Sequence, residues 1–190
     1  MTVEQVERLF GASIAAKQAL TRQDYETVQS MADAVVAAMR GGGKVLFLGN
    51  GGSAADAQHL AAELVSKFYK ERAGLPALAL TVNTSVLTAV ANDYSFDRVF
   101  ERQVEALARK GDVVVGISTS GNSPNVLRAI ERAKAMGCKT VGMTGMKGGK
   151  LAGAVDLCFR APSDDTPRIQ EVHITAGHIL CQLVEEAMFG

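Results

Sequence analysis

From Val3 to about Met39, apolar residues recur at helical spacing, first Val6, Phe10 and Ile14, then Val28, Met31, Val35 and Met39. Such a pattern turns one face of a helix toward a core or a neighbour, and the polar stretch "TRQD" at 21–24 divides it into two helices. Beyond "RGGG" the pattern changes. Short, nearly continuous apolar runs follow, "KVLFLG" (44–49), "PALAL" (76–80), "DVVVGIS" (112–118), "KTVGMT" (139–144) and "DLCFR" (156–160). Runs of this length predict strands buried on both faces, as in a parallel sheet. Helical patterns lie between them at 53–68, 96–110 and 124–137, and a long final helix is predicted from about Arg168 to Phe189. The βαβα alternation predicts an α/β protein, an open parallel five-stranded sheet flanked by helices, with ligands at the carboxyl ends of the strands.

Composition narrows the partners. With 190 residues, 47% of them hydrophobic, the chain is long enough for one substantial core, and a single domain over 1–190 is expected. Twenty Lys and Arg balance twenty Asp and Glu, so no electrostatic affinity for nucleic acid or an anionic membrane is expected, and a small ligand is. The opening "MTVEQVERLF" is acidic where a signal peptide is basic, and no run is apolar for long enough to span a bilayer, which predicts a soluble, unexported chain. Cys138, Cys158 and Cys181 are scattered and odd in number, which suits a reducing compartment such as the cytoplasm.

The candidate chemistry gathers at two turns and two helices. "GISTSGNSPN" (116–125) ends the third strand and sets Ser118, Thr119, Ser120 and Ser123 before Pro124. Pro124 suits the first position of a helix, and Ser123 the N-cap. Free N–H groups at the helix start, together with neutral hydroxyl donors, make a phosphate cup that needs no lysine. The plainer alternative is that Ser123 only caps while the others satisfy loop backbone. "GNGGSAAD" (49–56) is a second turn of this type, where Gly51 and Gly52 permit close approach of a ligand and Ser53 is placed to cap the next helix. It matches neither the dinucleotide nor the Walker A spacing, so nucleotide binding is not expected, whereas sugar hydroxyls suit its backbone groups.

All three histidines fall on helices. His59 and Glu63, four apart, share a helix face and suit a metal, a substrate or a plain solvated pair. "RIQEVHITAGHIL" (168–180) carries Gln170, His173 and His178. Gln170 and His178 differ by about 80° in direction and about 12 Å along an ideal helix, and His173 reads equally well as a core histidine. Imidazole and carboxylate are common zinc ligands, and an amide oxygen is a rarer one.

Taken together, "GNGGSAADAQHLAAEL", "ANDYSF", "GDVVVGISTSGNSPNV" and "RIQEVHITAGHI" resemble the phosphoheptose isomerase family of sugar-isomerase (SIS) domains, in order and with matching spacing from about residue 40 onward. The resemblance implies a flavodoxin-like, three-layer fold, with residues 1–40 as oligomerisation helices and 41–190 as the sugar-phosphate core. It implies a cytoplasmic homotetramer that converts sedoheptulose 7-phosphate into D-glycero-D-manno-heptose 7-phosphate through an enediol, the first step toward activated heptose for lipopolysaccharide and other surface polysaccharide. Carried over by motif, Ser118, Thr119, Ser120 and Ser123 hold the phosphate, while Asn50, Gly51, Gly52, Ser53, Asn92, Asp93 and Gln170 line the sugar site. His59, Glu63, Gln170 and His178 bind one zinc per subunit. Glu63 is the general base and His178 the general acid, a pairing that competes with Glu63 as a ligand. Two alternatives use the same domain: a non-catalytic protein that binds a replication initiator, and a regulatory sugar-phosphate-binding domain. The first lacks the acid and the histidine found here at Glu63 and His178, and the second accompanies a DNA-binding segment that is not visible here.

Overall fold

A computed structural model describes residues 1–190. Two N-terminal helices, α1 (Val3–Gln18) and α2 (Arg22–Arg40), lead into β1 (Val45–Gly49), α3 (Gly52–Val65) and β2 (Ala77–Ala79). Next come α4 (Thr84–Asp93), a 3-10 turn at Phe96–Arg98, α5 (Val99–Leu107), β3 (Val113–Ile117) and α6 (Pro124–Ala135). The chain closes with β4 (Lys139–Gly145), α7 (Gly149–Ala154), β5 (Leu157–Ala161) and α8 (Thr166–Phe189). All strand pairs are parallel and the order is β2-β1-β3-β4-β5.

The expected five-stranded sheet is present, and alternation along each strand explains its burial. Val45 and Phe47 enter one core, with α2, α3 and α8. Leu46 and Leu48 enter the other, with α5, α6 and α7. Side chains on successive residues point to opposite faces, so a strand covered on both sides reads as a continuous apolar run. Because β1 lies between β2 and β3, the chain leaves β1 in one direction and β3 in the other, and their carboxyl ends form the crevice where such sheets bind ligands.

Two helices do not follow from the hydrophobic pattern. Helix α4 has no fully buried residue and packs only the partly buried Leu87, Val90 and Ala91 against the second core, and its start rests on Asn83, whose side chain accepts from Val86 N at 3.1 Å. Helix α7 is six residues long and glycine-rich. A third difference concerns capping. Ser53 is not the cap of α3: Gly51 is, at φ 55°, and Ser53 is already helical and buried. Only glycine takes that left-handed backbone at little cost, so the chain turns into the helix two residues earlier than the serine suggests.

Candidate active site

The two turns face each other across the crevice. Asn50, after β1, exchanges two amide hydrogen bonds of 2.9 Å with Asn125 in the first turn of α6. Asn125 is buried and also accepts from Val126 N at 2.9 Å, so it ties one turn to the other. The sequence reading missed Asn125; the signal was a polar residue at the first turn of a helix whose neighbours are apolar.

Ser123 occupies the N-cap of α6 with Pro124 behind it, as expected, yet its side chain makes no cap hydrogen bond. Its hydroxyl instead meets Ser118 Oγ at 2.9 Å. Pro124 has no N–H, Val126 N donates to Asn125 Oδ1 and Leu127 N to Ser123 O, so the Asn125 N–H is the first-turn donor of α6 without a partner, beside two hydroxyls that are paired with each other. Ser120 Oγ accepts from Asn122 N at 3.2 Å, and Thr119 and Ser120 line a cavity of about 290 Å³ together with Lys147 and Thr166. Gly121 makes the tight turn possible at φ 65°, where its Cα packs on the Gly148 carbonyl.

Helices α3 and α8 lie side by side on one face of the sheet and run in the same direction. Gln170 packs its amide on Gly52 at one level, Gly177 packs on Leu60 at the next, and Cys181 Sγ lies 3.8 Å from Leu60 O. At the middle level, three polar side chains converge. His59 Nε2 is 3.0 Å from Glu63 Oε1 and 2.8 Å from His178 Nε2. The donor atoms of all three lie within 4.8 Å of one another. The solvated-pair alternative for His59 and Glu63 does not describe this: a residue from a helix more than a hundred positions away completes the group. Two facing imidazole nitrogens and a carboxylate oxygen present lone pairs to one point, an arrangement relieved by a proton or, better, by a cation, and the N, N, O donor set is one that zinc takes.

The remaining expected residues are placed as follows. Gln170 stands two turns before His178, with its amide packed on Gly52 at the start of α3. Asn92 and Asp93 end α4, exposed and hydrogen-bonded to each other at 2.9 Å, with no hydrogen bond to either turn or to the histidines. His173 is core: 1% exposed, with Nε2 2.9 Å from Thr144 O, and burial drives its pKa down to about 4. Asp56, one turn before His59, was not singled out from the sequence. Burial raises its carboxyl to about 6 against the lowering effect of His59, and its Oδ2 has no partner.

A profile of the SIS domain matches residues 10–145. The phosphoheptose isomerase of Rhodospirillum rubrum is 60% identical over 161 residues, 85% of this chain and 86% of that protein. That of Burkholderia pseudomallei (strain 1710b) is 52% identical over 189 residues, all of this chain and 93% of that protein. The solved phosphoheptose isomerase of Neisseria gonorrhoeae superposes with a TM-score of 0.90 at 44% identity, over 95% of this chain and 98% of that one.

Proposed function

The chain belongs to the SIS-domain family and, within it, to the phosphoheptose isomerases, which are aldose–ketose isomerases; from that premise we propose that its substrate is sedoheptulose 7-phosphate, its product D-glycero-D-manno-heptose 7-phosphate, and its acid/base pair Glu63 and His178. The observation that carries this assignment is the meeting of His59, Glu63 and His178 from two helices. The reacting carbons and the phosphate stand at opposite ends of the substrate, so a phosphate cup and a separate acid/base cluster are what the reaction requires.

In the forward direction the Glu63 carboxylate removes a proton from the hydroxymethyl carbon next to the ketone, and His178 gives a proton to the carbonyl oxygen, leaving an enediol. Returning one proton to the former carbonyl carbon and withdrawing one from the terminal hydroxyl yields the aldehyde, with no net change in protons. Ser118, Thr119, Ser120, Ser123 and the start of α6 hold the phosphate and so convert binding into orientation rather than chemistry. Asn50, Gly51, Gly52, Ser53 and Gln170 serve the sugar from the β1 turn, and Asn92 and Asp93 reach it from α4.

His59, Glu63 and His178 are the residues that would hold zinc, one ion per subunit. Gln170, whose amide lies on Gly52 two turns before His178 on the same helix, is the fourth ligand of this set. When bound, the ion supplies a Lewis acid for the developing oxyanion. One Glu63 oxygen is directed at His59, so ligand and base roles divide between its two oxygens. A protein-binding role without turnover has no use for this cluster. No helix is long and apolar enough to cross a membrane; three free thiols and a phosphorylated substrate fit the cytoplasm.

The decisive assay is turnover of sedoheptulose 7-phosphate by the purified protein, with and without a chelator, beside Glu63→Gln and His178→Gln. Each variant is expected to lose about 100-fold or more in kcat, the usual scale of general acid–base catalysis, and the chelator to depress the wild type. Absence of turnover in the zinc-loaded wild type would sink the proposal.

A further inference from the structure

Behind the His59–Glu63–His178 cluster, the loop that leaves α3 is held by a buried ion pair. Arg72 and Glu185 are each only 2% exposed at the side chain, and Arg72 Nε donates to Glu185 Oε1 at 2.8 Å. The pair is more than a bridge between two charges. Arg72 Nη2 donates to the backbone oxygen of Glu63 at 3.0 Å, and Nη1 donates to Leu64 O at 2.8 Å and Ser66 O at 3.1 Å. Those carbonyls are the ones a helix leaves without partners in its last turn, so the guanidinium closes the end of α3 at the residue that carries the carboxylate. Glu185 in turn accepts from Phe68 N at 3.0 Å, Tyr69 N at 2.8 Å and Lys70 N at 2.9 Å. This holds the Phe68 ring 6.0 Å from the His178 ring. His178 and Glu185 are seven residues apart on α8, two turns along and on nearly the same face.

We infer that Arg72 and Glu185 are positioning residues that set the separation of Glu63 from His178, Arg72 through the backbone of Glu63 and Glu185 through the loop that seats Phe68 beside His178. The catalytic consequence rests on the isomerase assignment; the coupling itself does not. Burying an ion pair is costly unless its remaining hydrogen-bonding capacity is met, and here seven backbone groups meet it, Ala73 O among them at 3.1 Å from Arg72 Nη1. A planar fork is what the arrangement needs, since a lysine ammonium cannot reach the Glu63 carbonyl and Glu185 along the same two directions.

The test uses the full chain and three variants: Arg72→Lys, Glu185→Gln and, as a control, Asp112→Asn, which weakens the ion pair of the buried Asp112 with the partly exposed Lys44 in another part of the fold. With only three histidines, the imidazole nitrogen signals of His59, His173 and His178 are separable by NMR in the metal-free protein. Arg72→Lys and Glu185→Gln are expected to shift the His59 and His178 signals and spare His173. They are also expected to weaken Zn2+ affinity about 10-fold or more, the scale seen when groups supporting metal ligands are removed, and to lower kcat with little change in KM. Asp112→Asn lowers thermal stability and moves none of these. If both variants remain folded by circular dichroism and their His59 and His178 signals match wild type, or if the control shifts them equally, the inference is overturned. If the signals move but the wild type turns over no sedoheptulose 7-phosphate, the coupling stands and the isomerase assignment is what fails.

Discussion

Ser123 stands in an ordinary structural position without performing that position's usual task. It sits where a helix cap belongs, yet its hydroxyl is spent on Ser118 and not on the helix. Ser123→Ala therefore removes no cap but takes away the partner of the buried Ser118 hydroxyl, and the expected loss in unfolding free energy is about 1 kcal/mol. The KM for sedoheptulose 7-phosphate is expected to rise several-fold with kcat largely kept. A chemical denaturation curve beside steady-state kinetics separates the two effects. His173 is the opposite case. It lies on the helix of Gln170 and His178 and looked equally suited to core or site, and the direction of its side chain into the sheet at Thr144 assigns it to the core. A one-dimensional pattern of apolar neighbours could not make that choice, because both faces of α8 carry apolar residues.

At the level of elements, the site is a property of the α3–α8 pair. The spacing of His59 and Glu63 was legible as one turn of one helix, and that part of the cluster is as expected. That α8 would run alongside α3 and bring His178 to the same level was not legible, because it depends on how closely two helices approach. Gly177 sets that approach: a Cβ there would stand 2.6 Å from Leu60 Cδ2 and 2.7 Å from Cδ1. Gly177→Ala is expected to push the helices apart, cost about 1–3 kcal/mol as an overpacked contact, and weaken Zn2+ binding. A thermal melt and a chelator-competition titration check both, and wild-type affinity in a destabilised Gly177→Ala protein would remove helix spacing as the determinant of the cluster.

On the scale of the whole molecule, α1 stands out because only Ala16 of its sixteen residues is buried, while Val3, Val6, Leu9, Phe10 and Ile14 are exposed. An apolar stripe of this kind is stable in water when another surface covers it, and a second copy of the chain is the covering surface to test. Replacing Phe10 and Ile14 together by glutamate is expected to shift sedimentation toward a single chain. A variant that sediments as the wild type does would move the subunit interface elsewhere. The periodicity showed two helices here and an apolar face on the first, but not what covers it.

What the sequence by itself determined is local: strand and helix order, the two glycine- and serine-containing turns after β1 and β3, and the His59–Glu63 spacing. These are set by backbone preference, side-chain period and the few residues within one turn, all of which are contiguous. It also carried the family resemblance, since motif order is itself a one-dimensional property. The tertiary structure alone decided that β1 and β3 are neighbours with Asn50 paired to Asn125, that Ser123 bonds Ser118 and not its own helix, and that His178 meets His59 while Gln170 stands over Gly52. Each of those depends on contacts between residues far apart in the chain, and such contacts are chosen by packing, where a single glycine or a buried guanidinium determines which side chains come within reach.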